Sequence, residues 1–166
     1  ARLHSALAQM NLGDYLIDCS RFDWQKLLAS WHWLLPSEFT TWVMNRFGDL
    51  FLKTPDGKIH RLALDDGSLT VLAESKDQFC DRLDESGVAD DWFLIPLVDE
   101  LVAAGRALNE GQCYGFIQIP ILGGEYAVEN VTVRHVADQY AALGPIFERL
   151  QDVPDGTRVS FEIKKQ

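Results

Sequence analysis

The histidine and cysteine side chains of this sequence do not fall at the spacings that build metal or redox sites. Such sites use a CxxC motif or two histidines four residues apart, and neither spacing occurs. The cysteines are also odd in number and widely separated, which argues against a disulfide framework. The residues concerned are His4, His32, His60, His135, Cys19, Cys80 and Cys113. We therefore predict no metal ion and no disulfide.

Motifs for nucleophilic catalysis and phosphate binding are missing from the sequence as well. There is no GxSxG, and Cys113 lies in an apolar run, where a thiol behaves as a small hydrophobic side chain. Gly123-Gly124 is followed by Glu125 and matches neither a P-loop nor GxGxxG. The sequence therefore predicts no catalytic residue and no cofactor.

Carboxylates occur in four adjacent pairs, a residue type that serves metal binding and acid–base chemistry. Neighbouring side chains on a helix or a strand point in different directions, so an adjacent pair indicates a solvated face rather than a site. The pairs are Asp65-Asp66, Asp84-Glu85, Asp90-Asp91 and Asp99-Glu100.

One acidic segment, DESGVADDW at residues 84–92, is the candidate binding surface. It sets carboxylates beside an aromatic side chain in a connection that contains Gly87, and loops carry recognition more often than cores do. Acid together with tryptophan suits a surface that covers a basic cleft. Trp92 has an alternative role, as the residue that pins the next helix. The predicted partner-binding residues are Asp84, Glu85, Asp90, Asp91 and Trp92, with Glu125 and Glu129 added from a later stretch.

The charge of the chain supports a basic partner. The formal net charge is -10, and residues 84–166 hold fourteen acids against six bases, while residues 1–83 are close to balance. Such a surface repels nucleic acid and anionic membranes and favours encounter with basic proteins. No apolar run approaches the roughly 20 residues that span a bilayer, and no signal peptide is evident. We expect a cytoplasmic protein that binds neither nucleic acid nor membrane.

The first half of the chain predicts two helices followed by a meander. Apolar residues at helical spacing predict helices over 22–33 and, from a Ser37 cap, over 37–46. Turn signals at Pro55-Asp56-Gly57 and Asp66-Gly67 then separate three apolar runs, which predicts an antiparallel meander over 49–73 with one face on the helices.

The second half predicts helices at 75–85, 92–104 and 137–150, with strands within 113–133 and at 158–163. The fold class is therefore α+β, a mainly antiparallel sheet packed with about five helices. We expect one domain over residues 10–166, with residues 1–9 either an expression-derived segment or an upstream extension, since Met10 is a candidate natural start.

Several short motifs in order resemble one protein family. They are Trp33-Leu34-Leu35-Pro36, Asn45-Arg46-Phe47-Gly48-Asp49-Leu50-Phe51, Cys113-Tyr114-Gly115-Phe116, Leu122-Gly123-Gly124-Glu125-Tyr126 and Val128-Glu129-Asn130. This order resembles the DUF1851 family, the C-terminal domain of Tdi1-type immunity proteins of bacterial type VI secretion systems. The resemblance runs from about Leu12 to Ile163, and its Gly-Gly-Glu-Tyr element is the most specific part.

The resemblance implies a cytoplasmic immunity protein that binds and neutralises a cognate toxin, a DNase effector in the best-known cases. It supplies no catalytic residues. Family members often carry an additional N-terminal GAD-like domain, and the sequence predicts a stand-alone version without one.

The sequence leaves other function classes open. A small enzyme whose site is assembled only in three dimensions would need a deep pocket that gathers His60 or His135 with two carboxylates. A regulatory domain that binds a small molecule or a protein partner is the third possibility.

Overall fold

The computed structural model describes residues 11–160, and a four-stranded antiparallel sheet lies at its centre. The strands follow one another in the order of the sequence: Thr40–Met44 (β1), Leu50–Lys53 (β2), Ile59–Leu62 (β3) and Leu69–Ala73 (β4). The predicted meander is confirmed as β2, β3 and β4. It gains a strand, because β1 pairs with β2 at its edge.

The prediction of a helix over residues 37–46 is wrong, because this segment contains no helix and its middle, Thr40–Met44, forms β1. Phe39, Trp42 and Val43 fit a helical stripe, but Thr40-Thr41-Trp42-Val43 is a run of β-branched and aromatic residues that favour strands. Backbone pairing with β2 and the packing of Trp42 on Phe79 at 4.9 Å decide between the two structures.

The sheet is buried on both faces rather than on one. Leu50 and Leu52 face a cluster with Trp31 and Tyr140, while Phe51 faces the opposite way, into a cluster with Phe79. Because successive side chains alternate, burial of both faces explains the unbroken apolar run in β2. Helices therefore cover the sheet on two sides.

Five α-helices lie within residues 11–160. They are Trp24–Leu27 (α1), Lys76–Leu83 (α2), Val88–Phe93 (α3), Ile95–Ala103 (α4) and Val136–Leu150 (α5). Asp23 caps α1 and Ser75 caps α2, since their side chains accept hydrogen bonds from Lys26 N and Gln78 N. The helix predicted over 22–33 is shorter, because a 3₁₀ turn at Ala29–Trp31 follows α1.

The helix predicted over 92–104 is divided at Leu94, whose φ of 51° lies in the left-handed region. Pro96 has no N–H, so it cannot donate to the carbonyl of Trp92 in a continuous helix. That carbonyl instead accepts a hydrogen bond of 3.1 Å from Asn45 Nδ2. The hydrogen bond from Asn45 thus satisfies the carbonyl that is left without a helical partner at the break between α3 and α4.

The remaining strands form a separate two-stranded antiparallel sheet, Gln112–Phe116 (β5) and Val131–His135 (β6). It confirms strands within 113–133, although 3₁₀ turns at Pro120–Leu122 and Val128–Asn130 replace the extended chain expected before β6. Tyr114 N donates to Arg46 O at 2.8 Å and joins this sheet to the first one.

The ends of the chain leave two predictions without a full outcome. Residues 158–160 have no regular secondary structure, and the rest of the predicted strand 158–163 lies outside the described residues. The proposed extension at residues 1–9 also lies outside them. Across positions 11–160, no helix is long and apolar enough to cross a membrane.

Candidate functional site

An acidic cleft of about 550 Å³ opens where the first sheet meets α3 and α4. Five carboxylates and one guanidinium line it, so the cleft carries a strong excess of negative charge. Apolar side chains from α4 and its entry form the rest of the wall. The lining residues are Asp49, Arg61, Asp65, Asp90, Asp91, Leu94, Pro96, Leu97, Glu100 and Tyr126.

Asp49 forms the floor of the acidic cleft and is buried. Its Oδ1 accepts a hydrogen bond of 2.8 Å from Leu64 N, and its Oδ2 accepts one of 3.0 Å from Asn45 Nδ2. The side-chain oxygen of Asn45 accepts bonds from the backbone N–H groups of Phe47 and Asp49. The turn between β1 and β2 therefore holds the Asp49 carboxyl in one position.

Opposing effects act on the pKa of the Asp49 carboxyl. Burial raises the pKa of Asp49 from 3.8 to about 6, and the nearby Asp65 carboxylate raises it too. Arg61 and the hydrogen bonds from Leu64 and Asn45 oppose the rise. Arg61 Nη1 also lies 4.0 Å from Asp91 Oδ2 on α3, so the charge of Arg61 acts on both Asp49 and Asp91.

Tyr126 lines the acidic cleft from the loop between β5 and β6. Its hydroxyl donates to Asp65 Oδ2, and its ring packs edge-on against Phe116 with centroids 5.2 Å apart. Burial, followed by the hydrogen bond to Asp65, raises the pKa of Tyr126, so the hydroxyl stays protonated and remains a donor.

The structure brings only part of the predicted binding surface to the cleft. Asp90 and Asp91 line it, from the first turn of α3. Asp84 and Glu85 are exposed at the end of α2, where Glu85 lies 3.9 Å from Arg82 Nε. Glu125 is exposed in the loop next to Tyr126, and Glu129 is exposed in the last 3₁₀ turn of that loop.

Trp92 is buried and cannot act as an exposed anchor for a partner. Its ring stacks on Phe79 at 4.8 Å, and the Arg82 guanidinium lies over it at 5.2 Å. The helical period of α3 turns Trp92 inward and leaves Asp90 and Asp91 outside. The alternative role considered from the sequence, a core residue that pins the helix, describes its environment.

The sequence reasoning missed five polar residues of the cleft: Asp49, Arg61, Asp65, Glu100 and Tyr126. Asp65 and Glu100 each belong to an adjacent acidic pair that was interpreted as a solvated face. Asp49 and Tyr126 each lie inside a motif that carries the family resemblance. What the sequence did not indicate is that these motifs converge on one cleft.

A second cavity, of about 670 Å³, bears on the enzymatic alternative. Its lining includes His135, Asp23 and Asp138, one histidine with two carboxylates. No hydrogen bond joins His135 to either carboxylate in the described part of the chain, and Asp23 is engaged as the cap of α1 and lies 3.6 Å from Lys26 Nζ. The cavity thus contains the residue types of a general-base site, but neither carboxylate orients the His135 side chain as a base.

The histidine, cysteine and acidic side chains determine whether metal or thiol chemistry is available. Among residues 11–160, no group of three or more histidine, cysteine or acidic side chains could hold a metal ion. Burial raises the pKa of Cys113 to about 12, so this thiol stays protonated and poorly nucleophilic.

Comparison with known families adds to this geometry. Residues 73–142 match the family model described as T6SS immunity protein Tdi1, C-terminal. This segment, called the Tdi1 segment below, is similar to the Tdi1 C-terminal family. The match includes the Cys113–Phe116, Leu122–Tyr126 and Val128–Asn130 motifs, and it agrees with the family resemblance inferred from them. The comparison with curated proteins gives no match.

The Tdi1 segment supplies most of the acidic cleft. Seven of the ten lining residues lie between positions 73 and 142, and the other three are Asp49, Arg61 and Asp65. The family model is one of type VI secretion immunity proteins, and the cleft lies mostly in the segment that matches it.

Proposed function

We propose that this chain is an immunity protein that binds a cognate type VI secretion toxin and neutralises it by stoichiometric occlusion. The acidic cleft carries the proposal, because it is the most strongly charged concave surface described here and the Tdi1 segment forms most of it. Concave sites with a few convergent polar groups are where binding partners are usually accommodated.

The proposed toxin has a basic surface, and a DNase effector is the proposed class. A nuclease needs lysine and arginine side chains to hold phosphates, and these side chains would complement the five carboxylates of the cleft. The exposed carboxylates of Asp84, Glu85, Glu125 and Glu129 would extend the attractive field around it. We propose the cytoplasm as the compartment in which the two proteins meet.

The proposed mechanism is binding without catalysis. An inhibitor of this kind needs only a complementary surface, whereas an enzyme needs a base aligned with its reacting group. In the second cavity, His135 is not hydrogen-bonded to Asp23 or Asp138 in the described residues. The histidine and the two carboxylates therefore offer less support for an enzyme than the cleft offers for a binding protein.

The test uses the effector encoded by the adjacent gene, produced with this protein and alone. We expect co-expression to rescue growth and the purified pair to form a 1:1 complex. The double substitution Asp90→Lys/Glu100→Lys reverses two exposed cleft charges and is expected to weaken binding by at least about tenfold. Asp91 is left in place so that its contact with Arg61 is retained.

The matched control is Asp152→Lys/Asp155→Lys, which makes the same change in net charge at two exposed residues outside the cleft. It should bind within about threefold of the original protein. Absence of a complex at low salt between the unchanged protein and the neighbouring effector would reject the proposed function. Equal weakening by both double substitutions would reject the cleft as the contact.

A further inference from the structure

The loop between β5 and β6 exposes three large apolar side chains. Ile117 is 62% exposed, Ile121 is 55% exposed and Tyr126 is 52% exposed. Single exposed apolar residues are ordinary on protein surfaces, but several on one short loop are typical of an interaction site. We call the loop over residues 117–126 the apolar ledge.

The apolar ledge is held in a fixed shape by Asn130. The Asn130 side chain accepts a hydrogen bond from Gln118 N and donates to the carbonyls of Gln118 and Glu125, each at 2.9 Å. A Cβ added to Gly124 would lie 1.8 Å from Gln118 O, so only glycine fits this close approach. A loop ordered before binding loses little conformational entropy when a partner docks.

The apolar ledge adjoins the acidic cleft at Asp65. Ile121 N donates to the Asp65 carbonyl at 3.4 Å, and the Tyr126 hydroxyl donates to the Asp65 carboxylate. Tyr126 belongs both to the ledge and to the lining of the cleft. The backbone of Ile121 and the side chain of Tyr126 thus place the apolar ledge next to the Asp65 carboxylate of the cleft.

We propose that the apolar ledge is the second half of the toxin-binding surface, and that the occupant is a protein segment with a cationic residue flanked by apolar ones. The lysine or arginine enters the acidic cleft, while the neighbouring apolar side chains rest on Ile117, Ile121 and Tyr126. Charge complementarity selects this occupant, because the carboxylates repel nucleic-acid and lipid phosphates. The inference rests on the proposed function.

The acidic cleft and the apolar ledge contribute differently to binding because their side chains differ in chemistry. Exposed carboxylates act mainly on encounter and orientation, whereas buried apolar and aromatic contacts hold a complex together. The ledge therefore supplies the anchors that the sequence analysis assigned to Trp92, which is in the core.

The experiment compares Ile117→Ser/Ile121→Ser with Val71→Ser/Val102→Ser in binding to the toxin domain encoded by the adjacent gene. Val71 and Val102 are 49% and 57% exposed, so the control removes similar apolar surface from residues that do not line the cleft. We expect the ledge variant to bind at least about tenfold more weakly and the control within about threefold. Thermal unfolding of each variant verifies that it is folded.

A second measurement locates the contact directly. The photo-crosslinking residue p-benzoylphenylalanine at position 121 should link to the toxin domain, and the same residue at position 102 should not. If the unchanged protein binds while the ledge variant binds equally well and position 121 does not crosslink, the ledge proposal is wrong and the immunity function stands. If the unchanged protein does not bind the toxin domain, both proposals are rejected.

Discussion

The buried carboxyl of Asp49 makes the stability of the protein depend on pH, and the charge of Arg61 opposes the rise in its pKa. The pKa of Asp49 is raised from 3.8 to about 6, so folding takes up a proton between these values. The stabilising contribution of protonated Asp49 is fully present below about pH 3.8 and is lost as the pH rises through about 6. Above pH 6, Arg61 and the hydrogen bonds from Leu64 and Asn45 offset the cost of the buried charge.

We predict that Arg61→Gln raises the pKa of Asp49 further above its usual value, because the substitution removes the cation that favours the carboxylate. The variant should lose about 1–3 kcal/mol of unfolding free energy at pH 8 and much less at pH 5, where Asp49 takes up a proton. NMR titration of the Asp49 carboxyl carbon and urea unfolding at the two pH values measure both effects.

Arg158→Gln is the control for Arg61→Gln, since Arg158 is exposed and outside the cleft. It should leave the Asp49 titration unchanged and the stability within about 0.5 kcal/mol. A loss of stability in Arg61→Gln that is equal at pH 5 and pH 8 would mean that Arg61 acts through packing alone.

At the scale of elements, the sequence predicted what local chemistry decides. Some signals act within a few residues of sequence: turn dipeptides, an apolar run and the capping residues Asp23 and Ser75. The meander, α1 and α2 form where these signals occur. The strand β1 and the break at Leu94 depend on partners far along the chain, namely β2 and the Asn45 side chain. The periodicity of apolar residues within one segment gives no information about either of these distant partners.

The cleft could be predicted only in part for the same reason. Asp90 and Asp91 were found because they form part of a compact acidic segment. Trp92, in that segment, proved to be core, because adjacent residues of a helix point to different faces, so that Trp92 faces inward next to the exposed Asp91. Asp49, Asp65 and Tyr126 come from three separate turns and loops, and only the folded chain brings them together.

Asn45 links these elements, and its loss should be costly. It is fully buried, and its side chain makes hydrogen bonds to the Asp49 carboxylate, the Trp92 carbonyl and two backbone N–H groups. We predict that Asn45→Ala lowers the unfolding free energy by about 3–4 kcal/mol, because several buried polar groups lose their partners. Urea unfolding monitored by tryptophan fluorescence measures the loss.

Asn109→Ala is the matched control, because Asn109 is exposed and lies outside the core. Its effect should stay within about 0.5 kcal/mol. A cost below about 1 kcal/mol for Asn45→Ala would show that the junction between α3 and the first sheet does not depend on this side chain.

For the molecule as a whole, the uneven distribution of charge strengthens the negative electrostatic field at the acidic cleft. The net charge is -10, and most of the excess lies in residues 84–166, which contribute Asp90, Asp91 and Glu100 to the cleft. Fields of this kind accelerate encounter with an oppositely charged partner, and salt screens them within roughly 10 Å at 0.1 M ionic strength. Association and dissociation should therefore respond to different parts of the surface.

We predict that the association rate constant with the effector falls at least about tenfold between 10 and 150 mM NaCl, while the dissociation rate constant changes less than about threefold. Asp90→Lys/Glu100→Lys should slow association at 10 mM NaCl and flatten its salt dependence, whereas Ile117→Ser/Ile121→Ser should speed dissociation and leave association nearly unchanged. Asp152→Lys/Asp155→Lys alters the net charge by the same amount as the cleft reversal. Stopped-flow measurements on these variants therefore separate the effect of the cleft charges on association from the effect of the overall charge. Equal salt dependences of association for the two charge reversals would mean that net charge alone guides the encounter.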